Sequence, residues 1–219
     1  MQPIKVTAHL YNGFAAPDDW TPNIDGILGY WLLRRDDPDR FLVAQGRSDL
    51  MTPVEGLPLE RIEDGALWWW ACSSPIYDLA EQHRRYFHRR FDDQHERFLP
   101  EDTKKVLTAA GPYKNYRKSV MLRVTQRVDW HCVGDAAAIR ELLRDCRHIG
   151  AKTAQGYGRV REWTVTDDGD ENTALFHRPL PVDYARRVGV SGPVMRWGIR
   201  PPARIPENQA ECVMPCAAS

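Results

Sequence analysis

The chain carries no net charge, with 30 lysines and arginines against 30 aspartates and glutamates. Bulk electrostatics therefore draws it to no polyanion. No apolar run approaches the roughly 18 residues a membrane span needs, so no membrane association is expected. Met1-Gln2-Pro3 runs directly into an alternating segment, so no charged-then-apolar leader is expected. Cysteine is scarce and odd in number, five residues scattered at 72, 132, 146, 212 and 216. That pattern suggests no disulfide framework and predicts a cytosolic chain with reduced thiols.

Motifs of established chemistry are missing as well. A phosphate-cradling G-x-x-x-x-G-K-[ST] loop would need glycines where Cys146 and Ala151 stand ahead of Lys152-Thr153. Gly156-Tyr157-Gly158 begins a dinucleotide fingerprint, but Arg161 occupies the third glycine position. Cys212 and Cys216 would be half of a zinc site with no second pair at the required distance. No serine triad or carboxylate pair stands out, and no cofactor or metal is predicted.

What is present is an uneven charge distribution. From Lys104 to Arg127 there are seven cations (Lys104, Lys105, Lys114, Arg117, Lys118, Arg123 and Arg127) and no carboxylate. From Arg147 to Arg161 there are four more, again unopposed. The first forty residues hold six aspartates against four cations. Two unopposed basic segments can bind phosphates if folding brings them together.

With 42% hydrophobic and 27% charged residues the composition is that of a folded domain. Residues 4–10 alternate as a half-buried strand. Asp25 is a candidate N-cap for a helix over Gly26–Arg35. Leu59–Ile62 and Leu67–Cys72 read as a hairpin around Glu63-Asp64-Gly65. Residues 78–99 are predicted helical, with Leu79, Tyr86, Phe87 and Phe91 on one face and Arg84, Arg85, His88 and Arg89 on another. Strands are expected at Val120–Arg127, Val128–Val133 and Val160–Thr166. Between the last two, Asp135 caps a helix striped by Ile139, Leu142, Leu143 and Cys146, and Gly150 stands at its C-terminal cap. Seven prolines from Pro179 onward predict a tail without regular structure. The expected class is α+β: a ferredoxin-like (RRM-like) β-α-β-β-α-β core from 1–77 and 120–166. An inserted basic helix and thumb would occupy 78–119, and a proline-rich extension wrapping the core 167–219.

The stretch HIGAKTAQGYGRVREW, residues 148–163, concentrates the candidates. Glycines at 150, 156 and 158 permit positive φ and close approach of a partner. Lys152, Thr153, Gln155 and Arg159 offer bonds to phosphate and sugar oxygens beside Gly156, and Tyr157 offers a stacking plane. The same residues equally make a helix cap followed by an ordinary turn into a strand.

IGAKTAQGYGRV, placed between second helix and last strand, resembles the glycine-rich loop of the RAMP superfamily, the RNA-binding proteins of CRISPR effector complexes. The opening IKVTAHLYNGFA…NIDGILGYWLLRR is similar to the start of the small subunit of type IV complexes. The resemblance covers residues 1–166. It implies a prokaryotic cytoplasmic, non-catalytic subunit that caps the 5′ end of a CRISPR RNA. Its partners would be a filament of multi-copy RAMP backbone subunits and a large subunit. It also implies a thumb within 100–120, where Lys114, Tyr116, Arg117 and Lys118 contact RNA, joined by Lys104, Lys105, Arg85 and Arg89. Some relatives cleave RNA without metal, which makes His83, His88, His148, Tyr116, Lys118 and Lys152 the residues to inspect for catalysis. A protein-only scaffold is the remaining alternative. Trp68, Trp69, Trp70 and Trp197 could be core or docking surface.

Overall fold

The computed structural model describes residues 1–39, 53–99, 106–111 and 113–215. In chain order the elements are β1 (Gln2–Leu10), β2 (Phe14–Ala16), α1 (Ile24–Asp36), β3 (Arg61–Asp64), β4 (Leu67–Trp70), β5 (Glu81–Arg89), β6 (Tyr116–Val124), β7 (Arg127–Gly134), α2 (Ala136–Leu143), β8 (Val160–Thr166), α3 (Glu171–Phe176), β9 (Leu180–Pro181), α4 (Val182–Arg187), β10 (Val194–Gly198) and β11 (Gln209–Val213). The class is α+β, and every strand pairing among the described residues is antiparallel. No helix among the described residues is long and apolar enough to cross a membrane.

The central sheet has the order β7-β1-β8. Its middle strand follows from the alternation of Ile4, Val6, Ala8 and Leu10, all buried. Being flanked on both sides, β1 also buries Thr7, whose hydroxyl donates to Asp129 at 2.6 Å. Beyond β4, single bridges join Cys72 to Cys132 and Ile76 to Asp129, so residues 72–76 continue the sheet past β7. Helices α1 and α2 pack against each other. Ile24 and Leu28 from α1, with Ile139, Leu142 and Leu143 from α2, belong to one core with the sheet.

The local signals hold for α2 and less well for α1. The Asp135 carboxylate accepts from the Ala137 and Ala138 amides at 2.8 and 3.1 Å, satisfying two donors a helix start leaves open. The helix ends at Leu143, so Gly150 is not its C-terminal cap. α1 begins at Ile24 behind Asn23, so Asp25 is not the cap either. Asp25 is 4% exposed, and its carboxylate accepts from the Gly26 amide at 2.7 Å. Burial raises its pKa, opposed by the nearby Arg178.

Two further expectations are corrected. Residues 81–89 form a strand, not a helix, paired rung for rung with β6 from Glu81↔Val124 to Arg89↔Tyr116. The helical spacing of the aromatics was coincidental, and the alternation His83-Arg85-Phe87-Arg89 is the pattern the fold uses. The tail is also structured: α3, α4 and the sheet β10-β11-β9 carry their own core of Leu180, Ala185, Ile199, Cys212, Val213 and Met214. Its prolines sit at strand ends and turns, where no ladder donor is needed.

The tryptophan run joins the two cores. Trp68 and Trp70 point into the main core while Trp69 joins the tail's, as alternation along a strand dictates. All three are buried, which excludes them as a docking surface. The Arg178 guanidinium fastens the same joint, donating to the carbonyls of Trp70, Cys72 and Ile199.

Candidate nucleic-acid interface

β5 and β6 form a ribbon of nine paired positions, most of them exposed. At about 3.3 Å per residue it extends roughly 30 Å. β2 pairs with β6 only at the base, through Phe14↔Arg123, Ala15↔Leu122 and Ala16↔Met121. There Arg123, one of the cations in the acid-free stretch, is 2% exposed and donates to the Ala16 carbonyl and to Asp19. It anchors the ribbon and is not available to a ligand. Arg127 pairs with Asp129 at 3.0 Å, but its side chain stays exposed.

Directly paired residues of antiparallel strands project to the same side. Phe87 pairs with Lys118, Arg85 with Val120, and Arg89 with Tyr116. Arg85, Phe87, Arg89, Tyr116 and Lys118 therefore share one face. Arg117 pairs with His88 on the reverse face, where its guanidinium lies 4.1 Å from the Tyr86 ring centroid. Lys114 is exposed beyond the paired region, in a turn whose Asn115 side chain accepts from the Phe91 amide at 2.8 Å. Lys104 and Lys105 lie outside the described residues.

The glycine loop is threaded onto the base of this ribbon. The Ala151 amide donates to Ala15 of β2 at 2.7 Å, and the Gly158 amide donates to Gly13 at 3.0 Å. Gly158 has φ +67°, and a Cβ there would stand 1.8 Å from the Ile149 carbonyl oxygen, so only glycine fits. Gly156, also left-handed, has open space around it. Just ahead of Gly156, Thr153–Gln155 makes one 3₁₀ turn entered by Lys152 at φ 60°, ψ 33°. That is the one positive-φ residue other than glycine among the described residues.

The loop and the ribbon meet at Phe87. Its ring stands edge-on to Tyr157 with centroids 6.1 Å apart, and the Lys152 ammonium is 4.9 Å from the same ring. Lys152 and Tyr157 thus join Arg85, Arg89, Tyr116 and Lys118 on one cationic and aromatic surface. Gln155 and Gly156 are exposed at the loop's crest, and Thr153 is half-buried on its other flank. Arg159 departs toward the exposed Tyr11, 5.0 Å from that ring. Phe87, the hub, was not anticipated as part of a site. Alternation with Arg85 and Arg89 was the signal that could have found it.

Of the residues inspected for catalysis, His148 is exposed beside the loop and bridges to Arg159 through the backbone. His83 lies 2.8 Å from the Glu81 carboxylate on the ribbon's loop-facing side, a pairing that two-residue spacing produces on a strand but not on a helix. Cys212 is buried and burial pushes its thiol up to about 12, while Cys216 lies outside the described residues. The described residues hold no cluster of three or more metal-ligating side chains.

The chain belongs to the family of the CRISPR type IV associated protein Csf3, whose family model matches residues 2–215. No curated protein matches the sequence.

Proposed function

We propose that this chain is a non-catalytic RNA-binding subunit of a type IV CRISPR ribonucleoprotein, holding the 5′ end of the guide RNA at one end of a filament of larger backbone subunits. The observation that carries the reading is the Phe87 junction. It converts two basic segments far apart in sequence into one surface of alternating cations and rings, the form suited to a single strand held by its phosphates and by stacked bases. Contacts of this kind tolerate sequence variation, so preference would rest on shape or on one or two splayed bases. The central order β8-β1-β7 with residues 72–76 beyond it, and both helices packed together, supports a ferredoxin-like reading of the core. On that reading the ribbon of β5 and β6, formed mostly outside the 100–120 stretch expected of a thumb, would do the thumb's work.

The test is to express the chain with its neighbouring subunits and sequence the RNA that co-purifies. RNAs sharing a protected 5′ segment are expected. Reversing charge at Arg85, Lys118 and Lys152 abolishes their retention, and reversing Arg117 on the opposite face costs less. Assembly without RNA at low salt, where phosphate contacts are strongest, would leave a protein-only scaffold. The His83–Glu81 pair favours a second reading, metal-independent cleavage of precursor RNA. Under it His83→Ala loses cleavage and keeps binding.

A further inference from the structure

A second concave surface lies on the opposite flank of the glycine loop. A groove of about 860 Å³ runs between α1, the 15–23 segment and residues 145–153, with Arg204 of the tail at its rim. Its aromatic part is Tyr30, 45% exposed, beside the half-buried Trp31. The Arg34 guanidinium lies 5.1 Å from the Trp31 ring centroid. Arg147, His148 and Arg204 enter from two other segments, and all are exposed. Asp145 is the one carboxylate among the lining residues. Arg34 in the last turn of α1 is accounted for by the helix dipole. Arg147 and Arg204 sit on no helix end and make no ion pair among the described residues.

The loop separates this groove from the ribbon face by a single residue step. Lys152 turns toward Phe87, and Thr153 lines the groove. A strand lying across Lys152 on one flank therefore reaches Thr153 on the other without leaving the protein. We propose that the groove is a second RNA site, receiving the strand after it crosses the glycine loop, with a base stacked at Tyr30 and phosphates at Arg147 and Arg204. This rests on the RNA-binding reading above. Its volume lies within the roughly 300–1,000 Å³ of pockets that enclose a drug-sized ligand, which suits about one or two nucleotides. An acidic peptide would satisfy the arginines. It would make no use of an exposed ring beside them, whereas a nucleotide brings a phosphate and a stacking plane together.

The experiment is photocrosslinking of thiouridine-substituted RNA bound to the chain co-purified with its neighbouring subunits, followed by mapping of the crosslinked peptides. The expected result is two sets of crosslinks, one on the ribbon and loop and one on the peptide containing Tyr30 and Trp31. Tyr30→Ala removes the second set, keeps the first, and weakens RNA binding about tenfold, the value of one stacked base. Arg147→Glu with Arg204→Glu does the same without touching α1. Crosslinks confined to ribbon and loop overturn the groove and leave the RNA-binding reading standing. If Tyr30→Ala or the double arginine reversal instead releases a neighbouring subunit from the co-purified complex and leaves the RNA crosslinks unchanged, the groove belongs to a partner protein and the proposal is overturned. Absence of any RNA crosslink overturns both.

Discussion

Lys152 holds a left-handed backbone, a conformation that costs an L-residue roughly 1–2 kcal/mol. Glycine would sit there without that cost, so the lysine stands against local preference, in the position that brings its ammonium to Phe87. Lys152→Gly should therefore be more stable than Lys152→Ala by about 1 kcal/mol in urea denaturation, with both losing RNA affinity to a similar degree. The two glycines that follow separate in the opposite manner. Gly158→Ala drives a methyl group into the Ile149 carbonyl and should destabilise by more than about 3 kcal/mol. Gly156→Ala, with open space around it, pays only the backbone term of about 1 kcal/mol. Denaturant midpoints of the pair decide this. At this scale the sequence was readable where a residue acts through its neighbours in the chain. Asp135 capped as its type and place dictate, whereas Asp25 looked identical and proved buried, because burial is decided by chains that arrive from elsewhere.

Among the elements, the ribbon was the hardest to read. EQHRRYFHR carries charges and rings at both two- and four-residue spacings, and its partner strand lies far along the chain, so nothing local chose strand over helix. Its basic content and the neighbourhood of the glycine loop were legible; the sorting of Arg85 and Lys118 to one face and Arg117 to the other was not. Phe87→Ala should leave global stability within about 1.5 kcal/mol while loosening the loop from the ribbon. RNA affinity falls, and amide exchange across 152–157 accelerates. A second element carries a pH dependence. The His131 ring accepts the Asp170 amide at 2.8 Å, fixing the start of α3 to β7. Burial, aided by Lys5, holds His131 below its ordinary 6.5, and burial with His131 nearby lowers His177 too. Such histidines stay neutral in the fold while the unfolded chain takes up protons, so stability present above pH 6.5 is lost as pH falls below it. Melting temperatures across that range should show the decline, and His131→Asn should flatten it.

For the whole molecule, one strand serves two cores. Trp69→Ala removes the ring that packs on Tyr184 with centroids 4.9 Å apart, and should cost about 3–5 kcal/mol. Deleting everything after Thr166 would expose the same ring together with the Trp70 and Cys72 carbonyls that Arg178 holds, so the shortened chain is expected in the insoluble fraction on expression. Proline content suggested a wrapping tail. Counting prolines ignores where they fall, and here they mark the ends of a small sheet rather than its absence.

The ribbon's antiparallel pairing also sets a rule of parity. Adding one residue to each strand at the same rung lengthens the arm by about 3.3 Å, but every side chain beyond the insertion then swaps sides. Phe87 and Lys118 would turn away from the loop and Arg117 would turn toward it. Two residues per strand restore the alternation. Insertions between the base of the arm and Phe87 therefore keep the loop-facing side only in even steps of about 6.6 Å.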